Sequence, residues 1–182
     1  MSLEWPEMGA IHTLVFDFDG VFTDNGVYLD EHGKESIRCS RYDGMAFNLM
    51  RQYIAQGKLQ ADVFILSKEP NPVVLARAAK LKLDCIHGVD NKLAYLDNYF
   101  YEKHPDVENP YDGLVYLGND LNDLAVMRKA GFSVSPDDAH AAIKKIASVV
   151  LPQQGGHGFV REFMERFLRL DTLSLDELEA LV

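Results

Sequence analysis

The stretch Leu14-Val15-Phe16-Asp17-Phe18-Asp19-Gly20-Val21-Phe22-Thr23-Asp24 joins an apolar run to two carboxylates that are one residue apart. The apolar run predicts a buried strand, and Gly20 predicts the turn that ends it. Asp17 and Asp19 alternate with Phe18, so they reach a common site at the carboxyl end of that strand. Two carboxylates this close favour a bound Mg²⁺, which would also neutralise an arriving phosphoryl group. The alternative interpretation is a surface turn at Asp19-Gly20 that only reverses the chain.

Three further segments follow this stretch in a fixed order. Val63-Phe64-Ile65-Leu66-Ser67 predicts a second strand that ends in a hydroxyl, and Lys92 begins a predicted helix. Val115-Tyr116-Leu117-Gly118-Asn119-Asp120-Leu121-Asn122-Asp123 predicts a third strand that ends in polar residues. Ligands bind at the carboxyl ends of the strands in open α/β sheets, so these segments should converge on one site.

This series of motifs resembles the haloacid dehalogenase superfamily of aspartate-nucleophile phosphatases over roughly residues 11–168. Within that superfamily, the chain is similar to the members that lack a cap domain. These are the 3-deoxy-octulosonate-8-phosphate phosphatases, the phosphatases of nine-carbon keto-sugar acids and the phosphatase-like C-terminal domain of acylneuraminate cytidylyltransferases, and the last group looks most similar. The segments that carry the resemblance are 40–45, 66–74, 88–93, 118–124 and 155–158.

Length and composition predict one compact enzyme. A chain of 182 residues is long enough to bury roughly 70% of its unfolded surface in one domain. Its 18 basic and 28 acidic residues give a net charge of −10, which disfavours nucleic acid and anionic membranes as partners. Two cysteines, no signal peptide and no apolar run of about 18 residues predict a cytoplasmic protein outside the membrane.

Apolar runs alternate with helix-period segments along the chain, which predicts a Rossmann-like three-layer α/β sandwich with a mostly parallel sheet and no cap domain. The predicted strands lie near 12–17, 62–66, 84–86, 114–117, 132–134 and 148–150. The predicted helices lie near 43–56, 71–81, 90–102, 121–130, 138–145 and 159–168. Residues 1–10 form an N-terminal extension, 11–168 the phosphatase domain and 169–182 a C-terminal tail.

Residues 26–37 contain two short β-prone runs around a His-Gly tip, which predicts a β-hairpin flap after the first strand. In the capless relatives, this hairpin pairs with its counterparts, so the resemblance implies a homotetramer. In the tail, Ser174 and Glu177 have the spacing of a helix capping box. The tail helix could dock on a neighbouring subunit or on its own domain.

The resemblance and the chemistry together assign the catalytic residues. Asp17 would attack phosphorus and form an acyl phosphate, and Asp19 would protonate the leaving alcohol and later activate water. Ser67 would donate a hydrogen bond to a phosphoryl oxygen, and Lys92 would balance the charge of Asp17 and the phosphoryl group. Taken singly, Ser67 and Lys92 would read as a strand-end cap and a solvated helix residue.

The metal site departs from the family pattern at one position. The resemblance implies Mg²⁺ on Asp17, Asp19 and the residue after Gly118, which is usually Asp but is Asn119 here. An amide oxygen can coordinate a hard cation with one negative charge fewer. Asp120 and Asp123 are the second-shell or alternative ligands.

The candidate substrate-binding residues are Arg41, Asp43, Lys68, Glu69 and Arg77. Lys68, where many relatives have Gly, adds a phosphate-binding cation or faces water. Glu69 favours a nonulosonate phosphate over an octulosonate phosphate, because the octulosonate enzymes tend to have Arg there. Arg77 would reach the site of a neighbouring subunit and hold the substrate carboxylate there, or it would be an exposed helix residue. Arg41 and Asp43 would line the mouth of the pocket.

Two rival functions remain at this point. The first is a non-catalytic assembly module beside a cytidylyltransferase. Asn119 supports this function, and the evidence against it is the intact set of catalytic residues, Asp17, Asp19, Ser67 and Lys92. The second is a phosphomutase, which the lack of a cap domain to exclude water disfavours. Gly155-Gly156-His157-Gly158 would either offer free amides to an anion at a helix start or form a plain loop.

Overall fold

The computed structural model of the chain describes residues 4–181 and shows a three-layer α/β fold. A six-stranded sheet has the order β5-β4-β1-β6-β7-β8, and every pairing in it is parallel. Its strands are β1 (Thr13–Phe16), β4 (Asp62–Leu66), β5 (Asp84–Ile86), β6 (Leu114–Leu117), β7 (Phe132–Ser135) and β8 (Val149–Val150). The helices are α1 (Tyr42–Ala55), α2 (Val73–Leu81), α3 (Lys92–Lys103), α4 (Leu124–Met127), α5 (Ala141–Ile146), α6 (Phe159–Phe167) and α7 (Leu175–Glu179).

The strand order reverses between β1 and β6. From β1 the chain continues outward to β4 and β5 on one side, and from β6 it continues to β7 and β8 on the other. The reversal opens a crevice at the carboxyl ends of β1 and β6, which is where open α/β sheets bind ligands. Asp17 and Gly118 are the first residues beyond these two strands.

Two hydrophobic clusters cover the two faces of the sheet. Leu14 and Phe16 of β1 belong to the cluster that includes α1 and α6, whereas Val15 belongs to the cluster on the α3 side. All four residues of β1 are buried, as expected for a central strand of a parallel sheet. This alternation places Asp17 on the same side of the sheet as Val15. Asp17 therefore faces α3.

The predicted hairpin is present as the antiparallel pair β2 (Val27–Leu29) and β3 (Glu35–Ile37). It is the insertion between β1 and α1 in the described chain, and no cap domain is present within residues 4–181. Val27, Tyr28 and Leu29 are 55%, 67% and 67% exposed. The hairpin therefore presents an apolar strand to solvent in the single chain.

The N-terminal segment and the tail pack on the same core as the central domain. The Trp5 ring lies 5.2 Å from that of Phe132, and Leu170 and Leu181 are buried in the cluster that contains α6. Ser174 and Glu177 form the predicted capping box of α7. Domain boundaries at 11 and 168 stay a prediction, and positions 1–3 and 182 lie outside the described residues.

The prediction of one continuous helix over 121–130 is wrong. The structure has a 3-10 turn at Leu121–Asp123 followed by the short helix α4. Asp120 caps this turn, and the Asp123 side chain turns back to the backbone amides of Asn119 and Asp120. The local hydrogen bonds of these aspartates compete with a regular helix. Between residues 4 and 181, no helix combines the length and apolarity needed to cross a bilayer.

Candidate active site

The carboxyl ends of β1, β4 and β6 bring seven of the predicted site residues to one cavity. Phe16 lies in register with Ile65 and Leu117, so the chain leaves these strands at nearly the same level. The cavity there has a volume of about 100 Å³. The residues that line it are Asp17, Asp19, Asn25, Ser67, Lys68, Glu69, Asn119, Asp120 and Asn122.

A buried charged network forms the floor of this cavity. Lys92 Nζ lies 2.6 Å from Asp17 Oδ1 and 2.7 Å from Asp123 Oδ1. The Tyr116 hydroxyl donates to Asp123 Oδ1 at 2.7 Å. Asp17, Lys92, Tyr116 and Asp123 are between 0% and 4% exposed. Buried charges are stable only when they are paired and hydrogen-bonded, and this network satisfies that condition.

The start of α3 positions Lys92. Asn91 caps this helix by accepting a hydrogen bond from the backbone N–H of Ala94 at 3.0 Å. Lys92 is therefore the first helical residue, and its side chain extends under the sheet edge to Asp17. Asn and Asp are among the best helix caps, so the Asp90-Asn91-Lys92 sequence fixes where the helix begins.

The second oxygen of Asp123 holds the loop after β6. Asp123 Oδ2 accepts hydrogen bonds from the backbone N–H of Asn119 at 2.9 Å and of Asp120 at 3.3 Å. A Cβ atom on Gly118 would lie 2.6 Å from the carboxylate carbon of Asp123. Position 118 thus requires glycine, because the carboxylate approaches the backbone this closely.

Burial and opposing charges shift the pKa values of this network. Burial and the neighbouring Asp123 raise the pKa of Asp17 to about 8, although Lys92 acts in the opposite direction. Burial lowers the pKa of Lys92, but Asp17 and Asp123 outweigh that effect and raise it. The ammonium is therefore firmly charged, while the Asp17 carboxylate needs more positive charge nearby to stay ionised at neutral pH.

The cavity fits a hard divalent cation. Asn119 is 5% exposed, and its Oδ1 has no hydrogen-bond partner. Gly20 has φ +75°, and a Cβ there would lie 1.8 Å from Asn119 Nδ2, so glycine leaves room for this amide. Two carboxylates and a free amide oxygen are oxygen donors of the kind that Mg²⁺ binds. An added cation would also offset the raised pKa of Asp17.

The loop after β1 holds Asp19 through Thr23. The Thr23 hydroxyl donates to Asp19 Oδ1 at 3.3 Å and accepts from the backbone N–H of Gly20 and of Asn25, each at 3.2 Å. Burial raises the pKa of Asp19, and the Thr23 hydrogen bond acts against that increase. The Thr23 hydrogen bond thereby fixes the Asp19 side chain at the cavity wall.

The predicted substrate-binding residues divide into two groups. Lys68 and Glu69 line the cavity, whereas Arg41, Asp43 and Arg77 do not. Arg77 Nη2 donates to Asp43 Oδ2 at 3.0 Å and to the carbonyl of Ser40. Burial raises the pKa of Asp43 to about 6, although the Arg77 contact acts to lower it. Within the single chain, Asp43 and Arg77 join α1 to α2 and do not reach the cavity.

Gly155-Gly156-His157-Gly158 forms a loop that braces the nucleophile segment. The backbone N–H of Gly155 donates to Asp138 Oδ1 at 3.0 Å, and that of Gly156 donates to the Val21 carbonyl at 3.2 Å. A Cβ on Gly155 would lie 2.1 Å from the Gly20 carbonyl oxygen. The amides of Gly155 and Gly156 are therefore used by the protein itself and are not free for an anion.

Sequence reasoning missed three residues of the site. Tyr116 read as an apolar strand residue, although a hydroxyl two residues before Gly118 could have signalled a polar partner below the sheet edge. Asn25 lines the cavity from a loop, and Asn122 lines it from the 3-10 turn after β6. No pattern in the sequence marks Asn25, whereas Asn122 belongs to the motif that follows the third predicted strand.

The parallel sheet carries a carboxylate pair and a buried lysine at the carboxyl end of β1, and the proteins that the chain is similar to are hydrolases and phosphatases. No protein-family model matches the chain. The 3-deoxy-D-manno-octulosonate 8-phosphate phosphatase KdsC of Escherichia coli K12 is 32% identical over 161 residues, which cover 87% of this chain and 79% of that protein. The chain belongs to the haloacid dehalogenase superfamily, in the family of KdsC-like phosphatases.

Other relatives agree with this family. N-acylneuraminate cytidylyltransferase A of Danio rerio is 25% identical over 174 residues, which cover 93% of this chain but 38% of that protein. A haloacid dehalogenase family hydrolase from Streptomyces avermitilis has a TM-score of 0.79 and 35% identity, covering 92% of this chain and 97% of its own. The Moraxella catarrhalis octulosonate phosphatase, solved with magnesium, phosphate and its sugar acid, has a TM-score of 0.76 and 25% identity, covering 90% and 88%.

Proposed function

We propose that the chain is a Mg²⁺-dependent phosphomonoesterase that acts through an aspartyl-phosphate on a phosphorylated 2-keto-3-deoxy sugar acid. The observation that carries this proposal is the contact of the buried Asp17 carboxylate with Lys92 at 2.6 Å, at a cavity that also holds Asp19 and the unpartnered Asn119 oxygen. A nucleophile, an acid, a cation and free oxygen donors are the parts that phosphoryl transfer needs.

The chain's own groups then divide the reaction. Asp17 attacks phosphorus, and Asp19 gives its proton to the leaving alcohol and later takes one from the attacking water. The Ser67 hydroxyl accepts from the Glu69 N–H at 3.1 Å, so its own hydrogen is free to donate to a phosphoryl oxygen. The Lys92 ammonium stabilises the negative charge of the transferred phosphoryl group next to Asp17. Mg²⁺ held by Asp17, Asp19 and Asn119 would supply further positive charge.

The proposed substrate is a nonulosonate 9-phosphate in preference to an octulosonate 8-phosphate. The KdsC proteins are named for the octulosonate ester, and Glu69 is the residue that argues for the longer sugar acid. Glu69 lines the cavity, and its Oε1 already accepts from the Asn71 N–H at 3.0 Å. Its second oxygen can accept a hydrogen bond from a sugar hydroxyl.

The proposed assembly is a homotetramer built through the hairpin. Support comes from the exposed apolar side chains of Val27, Tyr28 and Leu29 on one short strand, since edge strands with exposed apolar residues tend to pair. The predicted role of Arg77 at a neighbouring site belongs to this proposal, although its guanidinium already pairs with Asp43. Free Cys39 and Cys85 support the predicted cytoplasmic location. The net charge of −10 supports the prediction that nucleic acid and membranes are not partners.

A second candidate function is a weakly active or non-catalytic oligomerisation domain associated with an acylneuraminate cytidylyltransferase. Asn119 supports it, because one carboxylate fewer weakens a metal site, and the Danio rerio match is consistent with it. The complete Asp17, Lys92 and Asp123 network opposes it, since an assembly module has no need of a buried charge cluster.

The test is phosphate release with Mg²⁺ from 3-deoxy-octulosonate 8-phosphate, nonulosonate 9-phosphates and simple sugar phosphates. The matched pair of variants is Asp17→Asn and Asp97→Asn, which make the same chemical change in the cavity and on the surface of α3. We expect one nonulosonate ester to dominate, with the activity lost in Asp17→Asn and kept in Asp97→Asn. Negligible release from every ester at saturating Mg²⁺ would favour the oligomerisation domain.

A further inference from the structure

Asn25 has an unusual backbone conformation for a residue of the catalytic cavity. It lines that cavity with φ +60°, in the left-handed region. Glycine adopts this conformation without strain, whereas a side chain makes it less favourable. Among residues 4–181, the other non-glycine residues with positive φ are Lys82 and Arg169, which lie just after α2 and α6. Asn25 therefore brings a side chain to the cavity from a position where the backbone favours glycine.

The Asn25 side chain reaches inward over Gly20. A Cβ atom on Gly20 would lie 2.7 Å from Asn25 Nδ2 and 1.8 Å from Asn119 Nδ2, so the two amide nitrogens share the space that this glycine leaves. Asn25 bonds to the protein through its backbone N–H, and Asn119 does so through its backbone N–H and carbonyl. Within the described part of the chain, both amide nitrogens are thus left without an acceptor, which a ligand oxygen can supply.

The turn before β2 is held by side chains other than that of Asn25. Asp24 Oδ1 accepts a hydrogen bond from the backbone N–H of Gly26 at 3.0 Å. Thr23 Oγ1 accepts from the backbone N–H of Asn25 at 3.2 Å. Such short-range bonds from Asp and Thr are what fixes a turn of this kind. The Asn25 amide is therefore not needed to form the turn and is available to a ligand.

The cavity is small and has few hydrogen-bond donors for an anion. Its volume is about 100 Å³, whereas sites for small organic ligands are roughly 300–1,000 Å³, so a side chain that lines it lies close to the phosphoryl group. Its lining carries four carboxylates but one ammonium, those of Asp17, Asp19, Glu69, Asp120 and Lys68. The transferring phosphoryl group spreads its negative charge over three oxygens. A neutral amide donor can stabilise that charge without adding to the charged groups of the cavity.

We propose that Asn25 is a catalytic residue that donates a hydrogen bond from its side-chain amide to an oxygen of the transferring phosphoryl group. This inference rests on the proposed phosphatase function. The Ser67 hydroxyl donates from the end of β4, and the Asn25 amide donates from the loop after β1. Asn25 forms no covalent bond in the reaction. Its amide is a fixed donor at the place where negative charge develops.

The test compares Asn25→Gly with Lys82→Gly, which makes the same backbone change at an exposed left-handed residue after α2. Steady-state kinetics on the preferred ester and calorimetry with inorganic phosphate are both run with Mg²⁺. We expect Asn25→Gly to lower kcat/KM about 10- to 100-fold and to weaken phosphate binding about tenfold, as the loss of a hydrogen bond to a charged group does. Its urea midpoint should stay close to that of the wild type, because glycine suits this backbone. Lys82→Gly should leave kinetics and phosphate binding unchanged.

A second variant separates the amide donor from the shape of the side chain. Asn25→Asp keeps the size and also tolerates the left-handed region, but it places a carboxylate beside the phosphoryl group, so it should lose at least as much activity as Asn25→Gly. Full activity of Asn25→Asp, or wild-type kinetics and phosphate affinity of Asn25→Gly, would overturn the inference. A large decrease in the urea midpoint of Asn25→Gly would assign the residue a structural role instead.

Calorimetry with phosphate separates the failure of this inference from the failure of the proposed function. If the wild type releases no phosphate from any ester but Asn25→Gly still binds phosphate more weakly, the phosphatase function is rejected and the contact of Asn25 with a phosphate oxygen is retained. If turnover is absent and the two proteins bind phosphate equally, both are rejected.

Discussion

The floor of the site and its rim are built in opposite ways. The floor consists of Asp17, Lys92, Tyr116 and Asp123, which are almost fully buried and linked by contacts of 2.6 to 2.7 Å. The rim consists of Lys68, Glu69 and Asp90 together with the hairpin β2–β3, where the lysine has one weak partner at 3.9 Å. The difference teaches that the catalytic groups are held in place before a ligand binds. The residues proposed to recognise the substrate are exposed or partly exposed, so they can be substituted with little effect on the stability of the fold.

The largest expected effect comes from breaking the floor. Asp123→Asn leaves Lys92 with one buried carboxylate and weakens the bonds to Tyr116 and the 119–120 backbone. Removing one partner of a buried ion pair costs about 3–5 kcal/mol, so we expect a decrease of that order in the free energy of unfolding by urea. Asp90→Asn at the rim should change it by less than about 0.5 kcal/mol. Equal effects of the two variants would refute the contrast between floor and rim.

The next largest effect is expected at the metal site, where a substitution should strengthen the binding of Mg²⁺. Asn119→Asp adds a carboxylate to the two that already face the cavity, without a change in side-chain size. A further negative ligand strengthens binding of a hard cation, and we expect at least about a tenfold lower Mg²⁺ concentration for half-maximal activity. Metal titrations of the two proteins measure this. An unchanged requirement would mean that residue 119 does not contact the metal.

The pH dependence of metal binding has a defined sign. The pKa of Asp17 without metal is raised to about 8, so the group holds a proton at lower pH and Mg²⁺ must displace it. Apparent affinity should rise about tenfold per pH unit below pH 8 and level off above it, with proton release on binding. Calorimetry at pH 6, 7 and 8 in buffers of different ionisation enthalpy detects both. A pH-independent affinity would contradict the raised pKa.

The smallest effect on the floor should come from the hairpin. Tyr28→Ser removes an aromatic ring that is 67% exposed in the single chain, so the kcat on the preferred ester should change less than twofold if the neighbour supplies no catalytic group. Light scattering after gel filtration should instead show smaller assemblies. Glu31→Gln at the hairpin tip is the control that leaves the apolar strand intact. Unchanged assembly in Tyr28→Ser would place the contact elsewhere.

Sequence patterns predicted the strands and the edge where they end, because buried parallel strands produce apolar runs that propensity alone can mark. Asp17, Asp19, Ser67 and Asn119 were thus predictable members of one cavity. The Asp43–Arg77 pair was not, since its partners lie on different helices and only packing brings them together.

The Tyr116–Asp123 hydrogen bond escaped prediction for a different reason. A tyrosine inside an apolar strand reads as core. Asp123 was predicted as a second-shell or alternative metal ligand, which does not indicate that its carboxylate meets Tyr116 and Lys92. The energetics of burying that charge depend on Lys92, which is 31 residues away in sequence, as well as on the nearby Tyr116 hydroxyl.

The most direct test of the account is to identify the residue that carries the phosphoryl group. Wild-type protein, Mg²⁺ and the preferred ester would be acid-quenched during turnover, treated with borohydride to reduce an acyl phosphate to the alcohol, and digested for mass spectrometry. The account predicts that residue 17 is converted to homoserine, that no other aspartate is modified, and that Asp17→Asn shows neither conversion nor phosphate release. Continued phosphate release by Asp17→Asn, with residue 17 of the wild type unmodified, would contradict it.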